Sequence, residues 1–194
     1  MRKVVTREQW LNAGVEQLRA VFKQADYKVP AKVRVTCGWP SRSALARKSQ
    51  RIGECWSSNN SVGKFFEIFI SPTISDSVRA LDILAHELVH ATVGLKAKHG
   101  AQFKKCAQAI GLEGKMTATH AGAALTKTLT GIVKKIGKYP HKELKHSTNG
   151  EKKQTTRLVK VACPECGYIA RVTRVWLDTV GAPLCPSDEV PLQE

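Results

Sequence analysis

Trp10, Leu11, Val15, Leu18, Val21 and Phe22 recur at a spacing of three to four residues near the start of the chain. That period predicts an amphipathic helix over residues 6–25, with the Thr6 side chain as its cap. Val33 and Val35 then alternate with charged or polar residues, which predicts a short strand ending near Gly38. Residues 41–51 are basic and polar and read as a loop, and Ile52–Trp56 reads as a second strand. The run FFEIFIS at Phe65–Ser71 is apolar, aromatic and β-branched, the strongest strand signal in the chain. Pro72 closes it, because proline cannot donate to a strand ladder.

Helical periodicity returns after Pro72. Ser75 or Asp76 can cap a helix running to about Leu95, with Val78, Leu81, Ile83, Leu84, Leu88, Val89 and Val93 as its buried stripe. A further helix is predicted over 101–110, ending at Gly111, and another over 120–136, stopped by Gly137. Residues 139–156 are Lys-rich, contain Asn149-Gly150 and lack apolar periodicity, so they read as a basic linker. Residues 157–194 change to short apolar alternation with a CxxC, Gly and Pro and no long helix. The predicted organisation is an α+β core over 1–138, a linker over 139–156 and a small module over 157–194.

The second predicted helix contains His86-Glu87-Leu88-Val89-His90. Four residues advance a helix by about 400°, so the two imidazoles lie about 40° apart around the axis and about 6 Å apart along it. Both can reach one zinc ion, and Glu87 lies beside them, placed to act as acid and base towards water at the metal's open position. A catalytic zinc takes a third protein ligand. The pattern HExxHxxGxxH would require Gly at 93 and His at 96, where this chain has Val93 and Lys96. A glutamate from a later helix would have to be Glu113. His99 is the better candidate: it follows the predicted helix end by a few residues, and Gly94 and Gly100 let the backbone turn back towards the metal. Tyr139 and His141 are candidate donors to a reaction transition state.

The six cysteines are Cys37, Cys55, Cys106, Cys163, Cys166 and Cys185. Cys163-Pro-Glu-Cys166-Gly has the spacing of a zinc knuckle, and Cys185-Pro begins a second one after 18 intervening residues. The second departs from CxxC because position 188 is aspartate. Asp188 can complete the site; His141, His146 or water are the alternatives, as is a module without metal. Cys37, Cys55 and Cys106 read as structural thiols.

Charge adds a partner to this picture. The chain carries 31 Lys and Arg against 16 Asp and Glu, a formal charge of +15. The excess is concentrated between 96 and 160, where 15 basic residues face 3 acidic ones. Such a surface attracts polyanions, DNA above all, single-stranded or duplex, although a solvated lysine face serves solubility equally well. Arg171, Arg174, Trp176 and Tyr168 either contact nucleic acid or pack the small module's core. No apolar h-region follows the first basic residues and no stretch suits a membrane span. The expectation is a cytoplasmic monomer with reduced or metal-bound thiols.

HELVH followed by HGAQF and preceded by the EIFISP strand resembles the SprT-like zinc metallopeptidases, whose members include bacterial and phage proteins and the Spartan proteases. The stretch from Lys153 to Pro186 resembles the zinc-ribbon tail of phage members. The resemblance spans roughly Val33 to Cys185. It implies a small zincin-like core of the minigluzincin type, with the active-site helix packed on a short sheet and a C-terminal zinc ribbon. It also implies a catalytic zinc on His86, His90 and His99, with Glu87 as acid and base, and protein substrates located at or crosslinked to DNA. A transcription-related accessory role, with the protease core idle, is the competing expectation.

Overall fold

The computed structural model describes residues 5–46, 49–145 and 158–194, and it is an α+β structure of two units, Met1–His146 and Ser147–Glu194. The first unit begins with α1 (Arg7–Gln24). Thr6 and Gln9 form a capping box, each side chain bonded to the other's backbone N–H, which satisfies donors the first turn leaves unpaired. Trp10, Leu11, Val15, Leu18 and Phe22 are buried along one face, the predicted stripe.

A three-stranded sheet follows, β1 (Val33–Cys37), β2 (Gly53–Trp56) and β3 (Phe66–Ile70), in the order β1-β3-β2. β3 is central, parallel to β1 and antiparallel to β2. Val35, Ile68 and Ile70 are buried. Glu54, Trp56, Glu67 and Phe69 line a depression of about 310 Å³ together with Trp39. Side chains alternate along a strand, so Gly53 and Cys55 leave β2 on the other face. That other face meets α2 (Ser77–Val93), capped by Asp76, whose carboxylate accepts from the Arg79 N–H at 2.7 Å.

α2 is the hub of the unit. It packs on α1, β2 and β3, and on three later elements, α3 (Ala101–Ala109), β5 (Ala118–Ala121) and α4 (Ala123–Ile136). Leu81, Leu84, Leu88 and Val89 are fully buried, and truncating any of these leucines to alanine costs about 2–5 kcal/mol. α1 approaches so closely at Gly14 that a Cβ there would lie 2.8 Å from Leu81 Cδ2.

The hairpin of β4 (Leu112–Lys115) and β5 was not visible in the hydrophobic pattern. LEGK and ATHA carry little apolar alternation, and the hairpin is held by one buried side chain on each strand, Leu112 and Thr119, and by the 2.9 Å Gly122 N–H to Gly111 C=O bond at its base. For the same reason the helix expected from His120 starts at Ala123. The linker expected from 139 also begins later. Tyr139 stacks on Trp10 with ring centroids 4.8 Å apart, and the Leu144 N–H donates to the Pro72 carbonyl at 2.8 Å. Most of the remaining linker, including His146, lies outside the described residues.

The second unit is a hairpin of β6 (Leu158–Ala162) and β7 (Ile169–Thr173) followed by the short helix α5 (Arg174–Thr179). Its buried apolar core is Val161, Cys163, Cys185 and Leu192. Among the described residues no helix is long and apolar enough to cross a membrane.

Candidate metal centres

α2 ends at Gly94, whose φ of 86° is open to glycine and costly for most other residues. The chain then makes one 3₁₀ turn, Leu95–Ala97, and reverses through Lys98 and His99, closed by the Gly100 N–H to Ala97 C=O bond at 2.9 Å. Lys98 holds φ 46°, ψ −125°, a strained backbone for an L-residue next to a candidate ligand. The reversal brings His99 Nε2 to 3.2 Å from His90 Nε2 and 3.4 Å from His86 Nε2. Donors about 2.0–2.1 Å from a tetrahedral zinc stand about 3.3–3.4 Å from each other. The three imidazoles therefore already have the spacing that such an ion imposes, and together they form a group able to hold a metal ion.

The electrostatics agree with the geometry. Burial lowers the pKa of His86 to about 4 and of His90 to about 3, helped by neighbouring imidazoles, and it lowers His99 as well. All three are neutral near pH 7, the ligand form. Glu87 is buried next to β2, so close that a Cβ on Gly53 would sit 2.4 Å from its Oε1. Burial raises its pKa to about 8, and the Arg51 guanidinium partly opposes that. Arg51 also lowers His90 and His99, and Arg79 lowers His86, so two guanidiniums favour the neutral rings.

Three further contributors carry no motif. Phe103, fully buried in α3, places its ring centroid 4.9, 4.5 and 4.9 Å from those of His86, His90 and His99. Thr119 Oγ1 lies 2.8 Å from His86 Nδ1. Arg51 precedes β2 and pairs with Glu54. Phe103 had a weak sequence signal, being an apolar residue in the run His99–Phe103 that follows the candidate third ligand. Thr119 and Arg51 had none.

Other candidates are placed elsewhere. Glu113 is exposed and lies over Gly122, outside the imidazole cluster. The Tyr139 N–H bonds Ser77 Oγ and His141 Nε2 bonds the Pro72 carbonyl. Tyr139 is thus anchored at the first turn of α2, and His141 between β3 and α2. Cys55 is half-buried, and desolvation with the neighbouring Glu87 charge pushes its thiol pKa up; burial lifts Cys106 to about 11, so both stay protonated.

The second unit brings Cys163, Cys166, Cys185 and Asp188 together as another group able to hold a metal ion. Asp188 Oδ2 is 3.1 Å from Cys163 Sγ and 3.3 Å from Cys185 Sγ, and the Cys166 and Cys185 sulfurs are 3.5 Å apart. The sulfur–sulfur distance is slightly tighter than the roughly 3.8 Å between thiolates on a tetrahedral zinc, and the oxygen–sulfur distances than the roughly 3.6 Å expected of that pair. Two matching turns build the group. The Cys163 N–H donates to Tyr168 C=O and the Cys185 N–H to Val190 C=O, both at 2.8 Å; Gly167 donates back to Cys163 and Glu189 back to Cys185. Asp188 thus occupies in the second turn the place that Cys166 has in the first, despite the lost CxxC. Glu189 adopts a φ of 54° where the first turn has Gly167 at 76°. Its acceptor bonds with the thiols, that with Cys166 foremost, hold the Asp188 carboxyl low, while the same bond raises Cys166 to about 12.

Tyr168 is 48% exposed and Trp176 is 64% exposed, so neither packs the unit's core. Arg171 lies opposite Lys160 across the exposed hairpin, and Arg174 pairs with Glu194. Comparison of the chain with family models, curated proteins and solved structures finds no match.

Proposed function

We propose that this chain is a zinc-dependent endopeptidase of the SprT-like type, with a zincin-like core and a zinc-ribbon tail, acting on proteins held at DNA. The observation that carries the reading is the convergence of three imidazoles, with the Nε2 atoms of His86 and His90 within 3.4 Å of His99 Nε2, and a buried carboxyl one residue from the first of them.

His86, His90 and His99 would hold the catalytic ion through Nε2. Zinc there supplies Lewis acidity, polarising a carbonyl and acidifying water. Glu87 moves the proton: its carboxylate takes one from the attacking water and returns it to the leaving amine. Burial raises the proton affinity of Glu87, and a zinc ion beside it would oppose that and favour the carboxylate that accepts the proton. The Arg51 guanidinium, whose charge acts on Glu87, His90 and His99, would favour the negative charge that develops in acyl transfer. The Phe103 ring fills the space against the three imidazoles and excludes water from their inner side.

Cys163, Cys166, Cys185 and Asp188 would hold a second, structural zinc. The DNA part of the reading is supported by the basic excess over 96–160, by Lys160 paired with Arg171, and by the exposed rings of Tyr168 and Trp176, which suit stacking on unpaired bases.

The test is a cleavage assay on an unstructured basic protein, with and without single-stranded DNA, beside metal counting. Two zinc ions per chain are expected. Glu87→Gln should reduce cleavage by about 10³-fold, within the range of general acid–base contributions, and leave metal and DNA binding near wild type. An effect of the protein that survives Glu87→Gln unchanged would favour a nucleic-acid-binding accessory role over catalysis.

A further inference from the structure

Thr119 is the only side chain among the described residues that hydrogen-bonds the outer nitrogen of a triad histidine. Its Oγ1 lies 2.8 Å from His86 Nδ1, whereas the bonds found for His90 and His99 are only those among the Nε2 atoms. A neutral imidazole carries one proton. With that proton on Nδ1, Nε2 presents a lone pair towards His99; with it on Nε2, the ring cannot ligate there.

We infer that Thr119 is the positioning residue of the histidine triad, accepting the Nδ1–H of His86 and so fixing both the tautomer and the ring plane that turn Nε2 towards a metal ion. The inference rests on the metal reading of the triad above.

Three features make Thr119 suited to that role. It is 7% exposed, so water competes little for the bond. It is β-branched and sits in a strand, which restricts its χ1 and holds the hydroxyl in place. It also comes from outside the ligand-bearing segment. His86, His90 and His99 belong to α2 and the turn after it, while Thr119 belongs to a hairpin anchored by Leu112 in the core and by the Gly122–Gly111 bond. The hairpin therefore fixes the rotation of His86 independently of the helix that carries it.

The choice of a hydroxyl has a chemical consequence. Many metal-bound histidines donate to a carboxylate, which adds negative charge to the ligand shell and raises ligand basicity. Threonine orients the ring with no added charge. A bound ion would then gain no counter-charge from this partner. Asp82, one turn before His86 on the same helix, is buried and pairs with Arg79 through Oδ2.

The test is cobalt(II) binding by the full chain, followed by absorbance. Thiolate charge-transfer bands report the cysteine cluster, and the weaker d–d bands of a histidine site report the triad. Competition with a chelator gives each affinity. Thr119→Val keeps the side-chain shape and removes the acceptor; it should weaken cobalt at the triad by about 10–100-fold, the usual loss when an outer partner of a metal-bound histidine is removed. It should leave the cysteine site unchanged. Thr119→Ser should stay within about threefold of wild type, which separates the loss of the acceptor from a packing defect. Equal triad affinity in wild type and Thr119→Val, with both folded by circular dichroism, overturns this inference alone. A wild-type chain that takes no metal at the histidines overturns the metal reading and this inference with it.

Discussion

The two candidate metal centres use the same elementary idea in opposite structural settings. The histidine triad is set into a unit with a continuous buried core, in which Trp10, Phe22, Leu81, Leu84, Leu88 and Phe103 are each nearly or wholly inaccessible. Its ligands stand on a 17-residue helix and a short turn, and the protein has already placed them at ligand spacing. The cysteine cluster has the reverse arrangement. Two of the four buried residues in its unit's core, Cys163 and Cys185, are themselves members of the metal-binding group. A core that small cannot offset the conformational entropy of ordering its chain. The lesson is that one centre is held by the fold, while in the other the metal would hold the fold.

The largest effect that separates them is metal removal. A strong chelator should unfold the Cys163–Asp188 unit outright, since structural zinc in small modules supplies about 10–16 kcal/mol that becomes folding energy. The first unit should keep its helices and its buried Trp10 environment. Amide exchange or two-dimensional NMR of the same sample distinguishes the two units. Retention of β6–β7 protection after chelation, or collapse of α2 along with them, would break the comparison.

A smaller effect probes how the cluster is completed. Asp188 stands where the first turn has Cys166, so Asp188→Cys should tighten zinc by about tenfold or more, because thiolate suits this ion better than carboxylate does. Asp188→Ala should weaken it. Competition titrations measure both. An affinity indifferent to position 188 would mean that the fourth ligand comes from elsewhere.

The smallest effect concerns the first unit without metal and follows from its shifted protonation equilibria. His86 and His90 titrate near 4 and 3 when folded, against 6.5 unfolded. The unfolded chain therefore binds more protons through them below 6.5, and stability falls as pH drops from there. Glu87 acts in the opposite sense. Folding raises it from 4.5 to about 8, so its contribution declines as pH rises through that interval. Between about 4.5 and 6.5 the two histidines outweigh the single carboxyl; above 6.5 the carboxyl acts alone. Metal-free stability should peak near pH 6.5, with a decline towards pH 8 on the order of 1 kcal/mol per pH unit. Urea titrations across pH measure the peak, and Glu87→Gln should remove the alkaline decline.

The order of helices and the three-stranded sheet was legible in the chain because each element carries its own period. The α1 stripe and the FFEIFIS strand were expected close to where they lie, and the metal-ligating spacing of His86, His90, Cys163 and Cys166 is local geometry that a helix or a tight turn enforces by itself. Neighbouring residues determine such features, and so the sequence states them directly. What depends on distant segments was not legible. The β4–β5 hairpin has no period of its own, because its stability comes from what it packs against. The bond from Thr119 to His86 spans 33 positions, and the seating of Gly53 against Glu87 spans 34. Only the folded chain brings such groups together, and it is these long-range contacts that set the tautomer of one imidazole and the proton affinity of the buried carboxyl. The sequence determined which groups are available; the tertiary structure decided their protonation states and orientations, because burial and hydrogen-bond partners arise only once distant elements have packed.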